Sequence, residues 1–253
     1  RAVGVGKKGE IYSGGVGEFG VWDKNKFGQL VYRSLSNQLS DKDKLHDEIW
    51  KIYADDEKVL FQSFSAIYTY QNGKISVLKT KEPFLFLYQV NERYLIEVIS
   101  KGLFEFNKGR LIKIADKEKY GNSIIVSILP FSTNRLLIGP AQKGPFILDN
   151  SDVKRWVNEA NNELQQFQLN NGLRVLGNNY AFGTILNGIY LLNEDGKLVQ
   201  HLNKGNGLQN NTVLSLQSDK FQNIWVGLDN GIDRIEVNSP IYYYDDRAGI
   251  LVT

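Results

Sequence analysis

The chain has 253 residues, of which 42% are hydrophobic and 12% aromatic, and its 30 basic and 28 acidic residues give a formal net charge of +2. This length and composition suffice for a large buried core in one domain. The balanced charge, without a run of five or six basic residues, argues against a nucleic-acid or anionic-membrane surface. The apolar runs are too short for a membrane-spanning helix, and the absence of cysteine excludes disulfides and thiolate chemistry.

Short strands with alternating apolar and polar residues, separated by turn residues, follow one another along the whole chain. This period of two residues is typical of β-structure. The strands fall into six groups, at approximately 1–36, 49–80, 84–115, 124–156, 173–202 and 212–244. We predict the first strand of each group at 2–5, 49–54, 84–90, 124–130, 173–176 and 212–218.

A small residue opens the third strand of every group. These residues are Gly20, Ala66, Gly102, Gly144, Gly188 and Gly231, between 36 and 46 residues apart. A repeat of this length with four strands indicates the blades of a propeller. We therefore predict an all-β fold, a β-propeller of four-stranded antiparallel blades, as one incomplete domain over residues 1–253. Six blades are present, a seventh begins at 249–253, and the full ring is expected to have seven.

The second strands predict the packing between blades. Their apolar residues, including Ile138, Phe182 and Trp225, are expected to lie between neighbouring blades. One stretch, 157–166, has a helix-like sequence, and we expect a short surface helix there between the fourth and fifth blades.

Motifs that carry catalytic chemistry are missing from the sequence. Two GxGxxG sequences, at 4–9 and 15–20, lead into strand patterns and not into the helix that a dinucleotide site requires. There is no HExxH, GxSxG or cysteine-based metal spacing, and the only histidines are His46 and His201. We therefore predict a region that is not an enzyme and needs no metal and no organic cofactor. His46 is expected to be a solvated loop residue.

The clearest repeat is residues 207–237, GLQNNTVLSLQSDKFQNIWVGLDNGIDRIEV. It resembles the two-component regulator propeller repeat at Gly207-Leu208, Asn210-Asn211, Asp219, Trp225-Val226-Gly227 and Asn230-Gly231-Ile232. Residues 180–202 match this repeat less closely, and the first four groups match it only in pattern. Phe221-Gln222 departs from the family, which usually has a glycine-containing turn there.

The resemblance implies the periplasmic, extracytoplasmic sensor region of a bacterial membrane-spanning signalling or transcriptional regulator. Such proteins typically continue into a triple-tyrosine domain, a membrane helix, and a histidine kinase or DNA-binding domain. It further implies an oligosaccharide or other small envelope-derived ligand, a homodimer through the sensor region, no nucleic-acid binding by this region, and membrane attachment only through segments outside this chain. A scaffold for protein–protein interaction and a propeller lyase or glycosidase remain as alternatives.

Topology predicts the ligand-binding face. Because strand direction alternates within a blade, the connections between blades and the loops between second and third strands emerge at the same end. The loops contribute Glu18, Ser65, Lys101, Gln142, Lys143, Asn187, Asp229 and Asn230, and the connections contribute Asn37, Gln38, Asn122, Asn178, Asn210 and Asn211. Amides and charges suit polyhydroxylated ligands, although any turn-rich protein displays similar amides. From this set we take Glu18, Lys101, Gln142, Lys143, Asn187, Asn210, Asn211, Asp229 and Asn230 as candidate ligand-binding residues.

Overall fold

The computed structural model describes residues 2–44 and 46–237. The chain divides into two compact units, one ending at Asp116 and the other beginning at Lys117. Each unit contains three antiparallel sheets, and within every sheet the strands pair in the order in which they occur along the chain. Each sheet is therefore a meander.

The first unit holds blades one to three. Blade one consists of β1 (Ala2–Val5), β2 (Ile11–Gly14), β3 (Phe19–Lys24) and β4 (Leu30–Ser34). Blade two consists of β5 (Lys51–Ala54), β6 (Val59–Gln62), β7 (Ala66–Gln71) and β8 (Lys74–Lys79). Blade three consists of β9 (Phe84–Val90), β10 (Arg93–Val98), β11 (Gly102–Asn107) and β12 (Arg110–Ala115).

The second unit holds blades four to six. Blade four consists of β13 (Ile125–Pro130), β14 (Arg135–Pro140), β15 (Phe146–Asp149) and β16 (Asp152–Arg155), and the short helix α1 (Asn161–Gln166) follows it. Blade five consists of β17 (Leu169–Val175), β18 (Asn179–Thr184), β19 (Ile189–Leu192) and β20 (Leu198–Leu202). Blade six shows β21 (Val213–Ser218), β22 (Ile224–Leu228) and β23 (Ile232–Ile235).

These sheets confirm the predicted all-β β-propeller of four-stranded antiparallel blades, and six blades are found. Helix α1 lies within the predicted stretch 157–166. The predicted fourth strand of blade six, near 241–244, and the beginning of a seventh blade at 249–253 lie outside the described residues.

Successive side chains of a second strand pack in the cores on its two sides. In β6, Phe61 belongs to a buried cluster with blade one, where its ring centroid lies 4.4 Å from that of Phe19. The preceding residue, Leu60, belongs to the cluster with Leu87 of blade three. Successive side chains of a strand point to opposite faces, so one strand serves two interfaces.

The second unit repeats this arrangement in β18. Phe182 packs with Trp156 of the preceding blade connection, and Ala181 packs with Val226 of blade six. Phe182 and Ile138 are fully buried, as expected. The expectation for Trp225 is wrong: its side chain is 44% exposed. It lies on the face of β22 opposite to Ile224 and Val226, which are the residues that pack against blade five.

The predicted start of the first strand of blade five is also wrong. The strand begins at Leu169, four residues before the predicted 173. Asn170 and Asn171 resemble turn residues in the sequence, but they lie in the strand and donate side-chain amides to the carbonyl oxygens of Val213 (2.7 Å) and Leu214 (2.9 Å). Their side chains therefore join blade five to blade six, an interaction that spans 43 residues and leaves no local pattern.

In blade five, steric crowding explains why a glycine opens the third strand. Gly188 has φ = +72°, and a Cβ atom at this position would lie 2.0 Å from the carbonyl oxygen of Leu202. In blade one, a Cβ on Gly20 would lie 2.3 Å from the carbonyl oxygen of Arg33. The third strand begins so close to the fourth that a side chain does not fit in either blade.

Candidate functional site

Hydrogen bonds join the predicted loops to the connections between blades. In the first unit, the backbone N–H of Gly17 donates to the Asp47 carbonyl oxygen (2.9 Å), and the N–H of Ser65 donates to the Asp47 carboxylate (2.9 Å). Asp47 lies in the connection between β4 and β5, so one acid holds the loops of two blades. In the second unit, Asp229 N–H donates to the Thr212 carbonyl oxygen (3.1 Å). Both kinds of segment therefore lie at the same end of these blades.

Glu18 is held by its own blade. Its carboxylate accepts hydrogen bonds from the hydroxyls of Tyr32 (2.7 Å) and Ser36. Burial acts to raise the pKa of this carboxyl, but these hydrogen bonds outweigh that effect and leave the pKa below its usual value. Glu18 also lines an open hollow of about 360 Å³ with Trp22 and Tyr32, whose ring centroids lie 5.2 Å apart. It remains charged at neutral pH beside an aromatic pair.

Lys101 lies in the loop between β10 and β11. Its Nζ atom is 3.3 Å from the carboxylate of Glu82, and both side chains are exposed. Glu82 belongs to the connection between β8 and β9, so this ion pair again joins a loop to a connection. An exposed pair of this kind contributes little to stability, which leaves both groups available to solvent.

Gln142 and Lys143 lie together in the loop between β14 and β15. The Gln142 N–H donates to the hydroxyl of Ser123 (3.1 Å), and the Lys143 carbonyl oxygen accepts from Arg155 (2.8 Å). The aliphatic part of Lys143 lies close to Gly121, where an added Cβ would be 2.9 Å from the lysine Cγ. The backbone of this loop is fixed, and the Gln142 side chain is exposed.

Asn187 is the centre of a hydrogen-bonded group in blade five. Its side-chain amide donates to the Tyr190 hydroxyl (2.7 Å), and its side-chain oxygen accepts from Asn203 (3.3 Å). The Nε2 atom of His201 lies 2.8 Å from the Asn187 carbonyl oxygen, and the His201 ring stacks on Tyr190 with centroids 4.1 Å apart. The neighbouring Asn211 is close, since its carbonyl oxygen accepts from the Gly188 N–H. Asn187 therefore has a structural role in its own blade.

The candidate residues of blade six differ in whether their side chains make hydrogen bonds within the protein. The side-chain oxygens of Asn210 and Asn211 accept from the N–H groups of Thr212 (2.8 Å) and Lys204 (2.7 Å). Asp229 and Asn230 are exposed, and within residues 2–44 and 46–237 their side chains make no hydrogen bond or ion pair. These two side chains, like the exposed side chain of Gln142, are free to contact a ligand.

Of the other residues predicted for this face, most lie in the expected segments. Asn37 and Gln38 lie in the connection after β4, Ser65 in the loop after β6, and Asn122 in the connection after β12. Asn178 is an exception, because it lies in the turn between β17 and β18, at the opposite end of blade five. It has φ = +58° and accepts a hydrogen bond from Arg174, so its amide serves that turn. His46 is exposed, as expected.

Two of the residues that carry the sequence resemblance in blade six, Asp219 and Trp225, belong to one hydrogen-bonded network. The Asp219 carboxylate accepts hydrogen bonds from the Asn223 amide (2.9 Å), the Trp225 indole N–H (3.1 Å) and the backbone N–H of Phe221 (2.8 Å). The Asn223 hydrogen bond is the main reason that the pKa of Asp219 falls to about 2. The aspartate and tryptophan of the motif therefore hold the hairpin between β21 and β22.

Sequence reasoning missed an aromatic group in the first unit, which we call the aromatic triad: Trp50, Phe64 and Phe86. Trp50 stacks on Phe64 with centroids 5.1 Å apart, and Phe86 lies 6.0 Å from Trp50 and 5.8 Å from Phe64. All three are half-buried, and Lys51 lies beside them. The three residues are far apart in sequence. The sequence places Trp50 and Phe86 in predicted first strands and Phe64 beside a predicted loop, and no pattern in it indicates that their rings meet.

Two features are absent from residues 2–44 and 46–237. No group of three or more histidine, aspartate or glutamate side chains there is arranged to hold a metal ion. Nor does that part of the chain include a helix with the length and apolar character needed to cross a membrane.

The fold and this loop face define a β-propeller. No protein-family model and no curated protein matches the sequence. Among solved structures, the WD40 β-propeller domain of Doa1 is 12% identical, with a TM-score of 0.69 over 95% of this chain and 79% of that one. The extracellular domain of the putative hybrid two-component system BT4673 from B. thetaiotaomicron is 17% identical, with a TM-score of 0.61 over 93% of this chain and 37% of that one.

A third similar structure is PorZ, a surface component of the type-IX secretion system of Porphyromonas gingivalis. It is 14% identical, with a TM-score of 0.65 over 91% of this chain and 38% of that one. The chain thus spans less than half of these two bacterial chains. At such identities the similarity shows the propeller fold alone.

Proposed function

We propose that this propeller is an extracytoplasmic ligand-sensing region of a bacterial membrane-spanning regulator, and that it binds its ligand without transforming it. The observation that carries the proposal is blade six. There, Asp219 and Trp225, which carry the resemblance to the two-component regulator propeller repeat, are joined by a hydrogen bond, and Asn223 also donates to Asp219. Asp229 and Asn230 are exposed at the loop end of the same blade. The fold similarity to the BT4673 extracellular domain supports the same role.

The proposed ligand is an oligosaccharide or another small polar molecule from the cell envelope. Carboxylate and amide groups both accept hydrogen bonds from hydroxyls, and an amide also donates them. Asp229 and Asn230 can provide these contacts without breaking a hydrogen bond within the described structure. We propose the periplasm as its location, which is supported by the sequence resemblance and by the similarity to an extracellular domain and to a bacterial surface component.

Calorimetric titration with a panel of oligosaccharides tests the proposal. We expect binding by the wild type and a loss of about tenfold in affinity when Asp229 and Asn230 are both changed to Ala, because one or two hydrogen bonds to the ligand are removed. Asp195→Ala is the control, since Asp195 is exposed in the turn between β19 and β20, at the other end of a blade. Unchanged affinity in the double variant would show that the ligand binds elsewhere.

A protein-binding scaffold is the second candidate. The observation that favours it is the exposure of apolar side chains on two sheets: Val3 and Val5 of β1 are 69% and 63% exposed, and Ile232 of β23 is 66% exposed. Exposed apolar surface of this kind is a feature of interaction sites. Absence of heat with every saccharide of the panel would favour the scaffold over the sensor.

A further inference from the structure

The rings of the aromatic triad, Trp50, Phe64 and Phe86, are only partly buried. Neither the buried cluster that contains Phe61 nor the one that contains Leu87 includes any of the three rings. Each ring is half-buried and therefore keeps part of its surface open to solvent. Large aromatic rings stabilise a fold most when they are fully buried, so a partly exposed group of three provides a surface for another apolar face.

The backbone holds the triad at the loop end of blades two and three. The Trp50 N–H donates to the Gln62 carbonyl oxygen (2.8 Å), and the Phe84 N–H donates to the Phe64 carbonyl oxygen (2.7 Å). Phe86 lies in β9, the first strand of blade three. The first strand of a blade pairs on one side only, so Phe86 stands at an open sheet edge. The rings are thus placed by ordered backbone.

Lys51 adds a charge to this apolar surface. Its Nζ atom lies 5.5 Å from the centroid of the Phe86 ring. Among the described residues no carboxylate pairs with it, and burial alone lowers the pKa of its amine. A cation that is partly removed from water without a counter-ion is unfavourable, and the ring face compensates only part of that cost.

We propose that the aromatic triad and Lys51 form a binding subsite for a uronate sugar, a pyranose ring that carries a carboxylate. The C–H face of the sugar packs on the exposed part of the rings, and its carboxylate provides the counter-ion that Lys51 lacks. This inference rests on the proposed saccharide-sensing function and specifies the chemical class of one ligand residue.

The experiment compares an oligogalacturonide with its methyl ester by calorimetric titration of the full chain at neutral pH. The two ligands have the same rings and linkages, and only the free acid is charged. We expect the wild type to bind the acid about tenfold more tightly than the ester, as for one charge-assisted contact. Lys51→Met removes the charge but keeps an unbranched side chain of similar length, and it is expected to lose this preference and to bind the ester as the wild type does.

Lys74→Met is the matched control, because Lys74 is an exposed lysine in β8 of the same blade and should leave both affinities unchanged. Trp50→Leu should weaken both ligands. The urea midpoint of each variant shows whether it is folded. Retention of the acid preference in Lys51→Met, or no preference in the wild type, overturns the subsite. If neutral saccharides bind and neither galacturonide does, the sensing proposal stands and the subsite fails, whereas absence of any saccharide binding rejects both.

Discussion

Gly188→Ala tests why a glycine opens the third strand. The substitution keeps φ at +72° in a residue with a Cβ, which costs about 1–2 kcal/mol. The new methyl group would also lie 2.0 Å from the Leu202 carbonyl oxygen and 2.9 Å from the Asn203 Cα, both backbone atoms that cannot rotate away. The backbone shift needed to relieve such overpacking costs about 1–3 kcal/mol more. We expect a total destabilisation of about 2–5 kcal/mol.

Gly177→Ala separates the two contributions. Gly177 also has φ = +72°, but its added Cβ would meet only the flexible Asn179 side chain, at 3.4 Å. Both substitutions restrict the unfolded chain equally, so that effect cancels in the comparison. Urea unfolding should therefore show Gly188→Ala to be less stable than Gly177→Ala by about 1–3 kcal/mol, with similar m-values. Equal losses in the two variants would refute the steric explanation.

Three further substitutions or titrations have definite expected outcomes. Gln222 has φ = +66°, so Gln222→Gly should raise the free energy of unfolding by about 0.5 kcal/mol in urea denaturation, the strain relieved less the added entropy of the unfolded chain. Phe182→Ala removes a fully buried ring from the interface between blades and should lower stability by about 3–5 kcal/mol in the same assay. The pKa of Asp219 is about 2, below the value of about 3.9 in the unfolded chain. The stabilisation that the charged carboxylate provides is therefore fully present above a pH of about 3.9 and is lost as the pH falls through about 2. The indole N–H resonance of Trp225, which donates to this carboxylate, should titrate with a midpoint near 2.

Controls make each outcome decisive. Gln217 is an exposed residue of β21, and Gln217→Gly should destabilise by about 0.5–1 kcal/mol, the opposite sign to Gln222→Gly. Phe221 is 68% exposed, and Phe221→Ala should change stability by less than about 0.5 kcal/mol. A destabilised Gln222→Gly, a nearly neutral Phe182→Ala, or an indole midpoint near 4 would each contradict the corresponding contact.

The candidate site was predictable only in part. Loop positions follow from chain order in a meander, so Glu18, Lys101, Asp229 and Asn230 could be placed at the loop end without coordinates. Which of those side chains are already engaged depends on partners that are distant in sequence. The hydrogen bond that the Asn203 amide donates to the Asn187 side-chain oxygen (3.3 Å) illustrates this dependence.

The sequence by itself determined the blades, because alternation and turn chemistry are local properties, and the spacing of the small residues that open third strands is a count along the chain. Tertiary structure alone decided which face of each strand is covered, how Asn170 and Asn171 reach the next blade, and that Trp50, Phe64 and Phe86 meet beside Lys51. Such contacts join residues from different blades. Their distances are set by how the sheets pack, and no local pattern of residues encodes that packing.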